Sequence, residues 1–176
     1  LENYVARDKL RDGRDVTVRA LHPEDRHNLE EIWHHLSPRS IYFRFFVPKK
    51  ELTDKELNFF TKVDFDRHVA LLAFLTENGV EVPVGVGRYV VISESEKPKV
   101  AEVALTVEDE YQGLGIGTVL LRHLIDIARA AGVSELSAFV LSENKNMLEV
   151  FEHSGLPMER HLADTGIVEI RLRLPG

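Results

Sequence analysis

The spacing of apolar and polar residues along the chain predicts six β-strands. Residues 15–21 alternate apolar and polar side chains, as expected for a strand with one buried face. Residues 68–76 are almost continuously apolar, which is typical of a buried strand. Residues 100–107 are apolar except for Glu102 and Thr106, and they predict a further strand. The six predicted strands span residues 15–21, 68–76, 82–92, 100–107, 136–141 and 167–174.

Apolar residues at helical spacing predict four helices. The first begins at residues 23–25, where a proline and two acids suit a first turn, and we expect Ser37-Pro38 to end it. Thr53 and Glu56 have the three-residue spacing of a capping box, which predicts the start of the second helix.

The last two predicted helices follow the fourth and fifth strands. Residues 118–131 carry a long apolar stripe, and Gly132 suits a C-cap. Asn144 or Asn146 is expected to cap the final helix.

The order of these elements predicts a single mixed α/β domain. Three consecutive strands favour an antiparallel meander, and the later strand–helix–strand unit favours a parallel crossover. We assign residues 15–176 to this domain and residues 1–14 to an N-terminal extension.

Composition narrows the classes of function. The chain of 176 residues has no cysteine, so a disulfide framework, a thiolate metal site and a thiolate nucleophile are excluded. No apolar run approaches the roughly 18 residues of a membrane span, and the charged first residues do not form a signal peptide. We therefore expect a cytoplasmic protein with no membrane partner.

The charge of the chain is acidic and uneven. The net charge is −7, and residues 51–176 hold 12 Lys and Arg against 21 Asp and Glu. A phosphate backbone would need a basic patch, so a nucleic-acid partner is not expected. An acidic body attracts cationic substrates such as lysine side chains, although the same charge also serves solubility.

The stretch E-Y-Q-G-L-G-I-G-T, residues 110–118, lies between a predicted strand and a predicted helix. Backbone N–H groups at a helix start lack intrahelical partners, and the helix dipole adds positive character there. The stretch therefore predicts an anion site, most naturally for phosphate, and a tight turn with close packing is the alternative. It matches neither the P-loop pattern, because it has no lysine, nor the G-x-G-x-x-G dinucleotide pattern.

The pattern that does match is Gln-x-x-Gly-x-Gly at residues 112–117, and here the sequence resembles the GNAT superfamily of N-acetyltransferases. The resemblance extends over nearly the whole chain. Residues 144–156 look like the second coenzyme-A segment of that family. The stretches R-S-I-Y-F-R-F-F, V-D-F-D-R-H-V-A-L and A-E-V-A-L-T-V are similar to the acetyltransferase domains of bacterial protein-lysine acetyltransferases.

The resemblance implies a GNAT-like central mixed sheet flanked by four helices, and a site for acetyl-CoA that needs no metal. It implies that the glycine loop binds the diphosphate of the coenzyme and that the backbone of the preceding strand pairs with the pantetheine arm. It also implies that Asn144 contacts the coenzyme, although Asn144 could equally be a plain N-cap. The residues so implied are Leu105, Thr106, Val107, Gln112, Gly113, Leu114, Gly115, Ile116, Gly117, Thr118 and Asn144.

Glu102 is the predicted catalytic residue. It interrupts an apolar strand, and burial would raise the pKa of its carboxylate. Acyl transfer to an amine needs a base, and the resemblance implies that this glutamate is that base. An outward-facing residue, or an ion pair with an arginine, is the alternative.

Two other features bear on the reaction. Phe151 stands where many GNAT enzymes have a tyrosine proposed to protonate the leaving thiolate, and phenylalanine cannot donate a proton. The aromatic residues of 42–46, with Arg44 between them, could line the acceptor side or could serve core packing with an arginine ion pair. The eight histidines show no metal-binding spacing.

These patterns predict an acetyl-CoA-dependent N-acetyltransferase that acetylates a primary amine directly. The expected acceptor is a protein lysine, for example on an acyl-CoA synthetase. A small-amine or peptide N-terminal acetyltransferase, and a non-catalytic acetyl-CoA sensor, remain alternatives, and the sequence does not predict an oligomeric state.

Overall fold

The computed structural model describes residues 1–175 and contains an eight-stranded mixed sheet with the order β1-β2-β3-β4-β5-β6-β8-β7. The strands β1 to β5 form an antiparallel meander, and β5 pairs with β6 in parallel. The predicted meander and crossover are therefore confirmed. The strands are β1 (Val5–Lys9), β2 (Asp15–Ala20), β3 (His68–Glu77), β4 (Val80–Val91), β5 (Val100–Val107), β6 (Glu135–Leu141), β7 (Met158–Asp164) and β8 (Ile167–Arg173).

Five α-helices flank the sheet, so the prediction of four was wrong. The helices are α1 (Arg26–His34), α2 (Pro38–Phe45), α3 (Asp54–Thr61), α4 (Ile116–Ala130) and α5 (Lys145–Glu152). No helix of residues 1–175 combines the length and apolar character that crossing a bilayer requires.

The helix that the sequence analysis missed is α2. We expected Ser37-Pro38 to end a helix, but α1 already ends at His34, and Ser37 is the N-cap of α2. The Ser37 side chain accepts a hydrogen bond from the Ser40 N–H, and Pro38 occupies the first turn. Proline suits this position because its missing N–H would have no partner there.

Other helix boundaries agree with their capping signals. Thr53 and Glu56 form the predicted capping box of α3. Asn144, rather than Asn146, caps α5 by accepting from the Met147 N–H. Gly132 has the left-handed φ of 83° just beyond the C-cap of α4, which is Ala131.

Two strands, β1 and β7, were not predicted because both are edge strands with mostly exposed side chains and no apolar period. Residues 1–14 were set apart as an extension, but β1 pairs with β2 in the same sheet. Side chains of β1 also reach α4, since Asp8 pairs with both Arg122 and His123.

The sheet separates two hydrophobic cores. The larger core packs α4 and α5 against one face and includes Leu120, Leu124 and Phe151. The smaller core lies under α1 and α3 and includes Ile32 and Leu57. Because residues of a strand alternate between faces, β3 and β4 contribute to both cores and join them.

Candidate functional site

A cleft of ≈ 780 Å³ opens where β5 and β6 separate. Among residues 1–175, the two strands pair only at Val100, Ala101 and Glu102, opposite residues 135–137. Beyond that point residues 103–107 and 138–140 face each other across the cleft. Eleven of the twelve predicted site residues line it, and Leu114 is the exception.

The wall formed by β5 offers unpaired backbone. Leu105, Thr106 and Val107 pair with β4 on one edge and face the cleft with the other. An extended ligand with amide groups can add to such an edge as an additional strand would.

The glycine loop follows the end of β5 where β5 and β6 are apart, and it lines the cleft there. Gly113 has a φ of 83°, and Gly115, the N-cap of α4, has a φ of 98°. Both values lie in the left-handed region, where a Cβ is unfavourable, so these two glycines fix the path of the loop. Gly117 lies in the first turn of α4, where it is buried and also lines the cleft.

The same loop presents a row of backbone donors. The first intrahelical bond of α4 runs from the Val119 N–H to the Gly115 carbonyl at 3.0 Å. Within the described chain, the N–H groups of residues 113–118 donate to no other protein group. Together with the positive end of the α4 dipole, they form a site suited to an anion such as a diphosphate.

The side chain of Gln112 is held by the protein itself. Its Nε2 donates to the Val107 carbonyl at 2.9 Å and to Ser40 Oγ at 3.3 Å. Leu114 is turned from the cleft, and its carbonyl accepts from the Arg11 N–H at 3.2 Å. These contacts fix the glycine loop from both sides.

Thr118 and Asn144 lie on opposite walls near the loop. Thr118 is half-buried in the first turn of α4. Asn144 lines the cleft while its Oδ1 accepts from the Met147 N–H at 3.3 Å, so it caps α5 whether or not it also contacts a ligand.

Glu102 is exposed, and the expectation that it is buried was wrong. It lies on the face of β5 that looks towards α2, with its carboxylate on the cleft. Arg44 lies close enough to interact with the charge of Glu102. Burial lowers the pKa of Arg44, and the negative charge of Glu102 opposes that change. A carboxylate at the point where β5 and β6 part can accept a proton from an amine that reaches it.

The helix α2 supplies the wall opposite β6. Phe43, Arg44 and Phe46 line the cleft from this helix and its C-cap. The Arg44 guanidinium lies 4.9 Å from the centroid of the Phe45 ring, as a cation–π contact rather than an ion pair. The segment packs on α3 and also lines the cleft, but the expected ion pair of the arginine is not formed among residues 1–175.

Asp109 connects the glycine loop to α2. Its carboxylate accepts from the Ser37 N–H at 2.8 Å, from Ser37 Oγ at 2.7 Å and from Ser40 Oγ at 2.9 Å. No local sequence pattern indicates this contact, because the partners are about 70 residues apart and only folding brings them together.

Phe151 is buried against the cleft floor, as expected for a packing residue. Tyr111 also lines the cleft, but its hydroxyl donates to Glu77 Oε1 at 3.2 Å and is held there. Within residues 1–175 no three His, Asp or Glu side chains are grouped as metal ligands would be.

Comparison with known proteins agrees with this geometry. The sequence model of the Acetyltransferase (GNAT) family matches residues 28–156, which is more than two thirds of the chain. The matched residues include β5, the glycine loop, α4 and α5.

Two curated relatives are similar over most of the chain. Acetyltransferase PA5475 of Pseudomonas aeruginosa is 34% identical over 95% of this chain and 88% of its own length. Acetyltransferase Pat of Mycolicibacterium smegmatis is 32% identical over 79% of this chain, which spans only 40% of that larger protein.

Solved structures show the same fold. The GNAT domain of S. lividans PAT superposes with a TM-score of 0.86, at 32% identity and with 97% of both chains covered. A cAMP-binding acyltransferase from Mycobacterium smegmatis superposes with a TM-score of 0.65 at 26% identity, covering 98% of this chain and 48% of that one.

Proposed function

Because this chain belongs to the GNAT acetyltransferase family and is an acetyl-CoA-dependent acetyltransferase, we propose that it acetylates the side-chain amine of a lysine on a protein. The observation that carries the donor half of this proposal is the row of unpartnered N–H groups at residues 113–118, next to the open edge of β5. The acceptor half is supported by the shape and charge of the cleft mouth.

Acetyl-CoA, when bound, supplies the acetyl group as a thioester, and the cleft fits it. The amides of the glycine loop match its diphosphate in charge and geometry, and Gly113 leaves open space where another residue would have a Cβ. The edge of residues 105–107 that pairs with no strand matches its amide-bearing pantetheine arm, although the Val107 carbonyl already accepts from Gln112. The same edge can polarise the thioester carbonyl with a backbone N–H.

Glu102 is proposed as the base. A lysine side chain has a pKa of about 10.4 and arrives mostly protonated at neutral pH, so it must lose protons to attack. Glu102 lies where β5 and β6 part, exposed to the cleft and facing α2. It accepts the proton directly or through water while the new C–N bond replaces the C–S bond.

The departing sulfur receives no proton from position 151. Phe151 has no donor, and the Tyr111 hydroxyl is bonded to Glu77. A thiol with a pKa of about 8.5 is a good enough leaving group to depart as the thiolate or to take a proton from water.

A protein lysine is the favoured acceptor for two reasons. The cleft mouth is open and bounded by the aromatic side chains of Phe43 and Phe46, which suit the long methylene chain of lysine. The body of the protein is acidic, with a net charge of −7, and attracts cationic surfaces.

Glu102→Gln tests the role of the base. We expect kcat for amine acetylation to fall about 100-fold or more, because an amide cannot accept the proton, while the dissociation constant for acetyl-CoA measured by calorimetry is unchanged. Glu149→Gln, an exposed glutamate on the same cleft, is the matched control and should keep full activity.

The acceptor is tested separately with lysine-containing proteins and a panel of small amines, using mass spectrometry of the products. Acetyl-lysine on protein supports the proposal, and acetylation of small amines alone would contradict it. A protein that binds acetyl-CoA and never consumes it would be a sensor. An unchanged rate in Glu102→Gln would exclude Glu102 as the base.

A further inference from the structure

We infer that Arg11, in the turn between β1 and β2, is a phosphate-binding residue whose guanidinium contacts the diphosphate of the bound coenzyme. This inference rests on the proposed function, because it assumes that the glycine loop holds that diphosphate. Arg11 lies outside residues 28–156, which the family model matches, and the sequence analysis placed it in an extension.

The backbone of Arg11 is fixed against the glycine loop. A tight turn holds the tip of the β1–β2 hairpin: the Leu10 N–H donates to the Arg14 carbonyl at 2.8 Å, and Gly13 adopts a φ of 87°. The Arg11 N–H then donates to the Leu114 carbonyl at 3.2 Å. The hairpin tip is thus bonded to the middle of the loop between the two left-handed glycines.

The side chain of Arg11 lies along the same loop. Its Nη1 donates to the Gly113 carbonyl at 3.4 Å, which is a long hydrogen bond. Its Nε and Cγ atoms lie 3.6 and 3.7 Å from the position of a Cβ built on Gly115. The guanidinium therefore reaches the cleft beside the amides of residues 113–118, and Arg11 is one of the cleft-lining residues.

The charge of Arg11 has no carboxylate partner among residues 1–175. Within residues 1–175 it forms no ion pair, whereas Arg14 on the same turn pairs with Asp12 at 2.8 Å and with Glu77 at 3.2 Å. In a chain with a net charge of −7, an arginine without a carboxylate beside a row of unpartnered N–H groups marks a site for an anion. Guanidinium and backbone N–H groups together are a strong combination for phosphate oxygens.

The other cations of the cleft are placed differently. Arg39 and Arg44 lie over the rings of Phe43 and Phe45, each 4.9 Å from the ring centroid, on the acceptor side. Lys145 begins α5 on the far wall. In the described structure, Arg11 is the cation in contact with the glycine loop. Its ligand is therefore the diphosphate held by that loop rather than the adenosine 3′-phosphate.

The test compares Arg11→Gln with the native protein by calorimetry, using acetyl-CoA, its 3′-dephospho form and S-acetylpantetheine. We expect Arg11→Gln to weaken the binding of acetyl-CoA and of its 3′-dephospho form by the same factor, about tenfold, because each complex loses one charge-assisted contact. Binding of S-acetylpantetheine, which carries no phosphate, should not change. Arg7→Gln, an exposed arginine of β1 outside the cleft, is the matched control and should bind all three ligands as the native protein does.

Two outcomes would overturn the inference. If Arg11→Gln binds acetyl-CoA as tightly as the native protein, the guanidinium makes no contact. If its effect disappears with the 3′-dephospho form, the contact is to the 3′-phosphate. Either result leaves the proposed function standing as long as the native protein binds acetyl-CoA; failure of the native protein to bind would instead reject the proposed function. An unchanged melting temperature without ligand shows that Arg11→Gln is folded.

Discussion

Glu102 and Glu108, one on β5 and one just beyond it, have opposite surroundings. Glu102 is exposed on the cleft. Glu108 is only 2% exposed, its Oε2 has no hydrogen-bond partner within the described chain, and its Oε1 lies 3.9 Å from His35 Nδ1. The buried carboxylate, whose surroundings raise its pKa, is therefore that of Glu108, and it does not line the cleft.

The surroundings of Glu108 predict a pH-dependent stability. Burial raises its pKa to about 7, His35 opposes this change, and the acids Glu110, Glu31 and Asp109 add to it. Because the folded-state pKa exceeds the unfolded value of 4.5, the contribution of Glu108 to stability is full below about pH 4.5 and is lost as the pH rises through about 7. From pH 5 to pH 8 this group should lower the free energy of unfolding by roughly 2–3 kcal/mol.

Urea unfolding at pH 5 and pH 8 measures this contribution. Glu108→Gln removes the titration and should flatten this part of the pH dependence. The free energy of unfolding of the variant, relative to that of the native protein, should therefore be higher at pH 8 than at pH 5. Glu51→Gln changes an exposed glutamate that does not act on Glu108, and it is the control. If the native protein and Glu108→Gln have the same pH profile, the pKa of Glu108 is not raised.

At the scale of elements, α2 is positioned by a loop from the other side of the cleft. Its N-terminal Ser37 and Ser40 bond to Asp109, and Ser40 also accepts from Gln112. The helix lines the cleft, and Gln112 leads into the glycine loop. Under the proposed function, the elements that would bind the acceptor and the coenzyme therefore share one hydrogen-bond network.

Asp109→Ala tests this connection. We expect a loss of about 1–2 kcal/mol in the free energy of unfolding, because the first turn of α2 loses its acceptor. The KM for the amine should rise more than the dissociation constant for acetyl-CoA. Glu110→Ala, in the same turn, should change neither quantity. Equal effects of the two variants on the KM would show that Asp109 does not position α2.

For the whole molecule, the shared strands predict one cooperative unit. Trp33, the only tryptophan, is a buried residue of α1, the helix that packs on the smaller core, and Leu120 is fully buried on the opposite face. Because β3 and β4 belong to both cores, loss of either core should unfold the other.

Leu120→Ala should therefore lower the free energy of unfolding by about 2–5 kcal/mol. The thermal midpoints measured by Trp33 fluorescence and by far-ultraviolet circular dichroism should fall by the same amount. Leu162→Ala, at a position 76% exposed on β7, makes the same chemical change and should leave both midpoints unchanged. Separate midpoints for the two signals would indicate that the two faces unfold independently.

Local signals explain what could be predicted from the sequence. The apolar run of residues 100–107 predicted β5 with its observed bounds, and Thr53 with Glu56 predicted the start of α3. These signals depend on neighbours along the chain, such as side-chain period and capping chemistry. Where Ser37-Pro38 allowed two interpretations, a helix end or a helix start, the local pattern led to the wrong one.

The sequence by itself determined the glycine loop and the family, because left-handed backbone and unpartnered helix amides are properties of a short segment. Only the tertiary structure decided that Glu102 is exposed, that Glu108 is buried, and that Arg11 lies against Gly113, 102 residues away along the chain. The reason is physical: burial and charge pairing depend on which strands become neighbours, and that choice is made by the packing of the whole sheet.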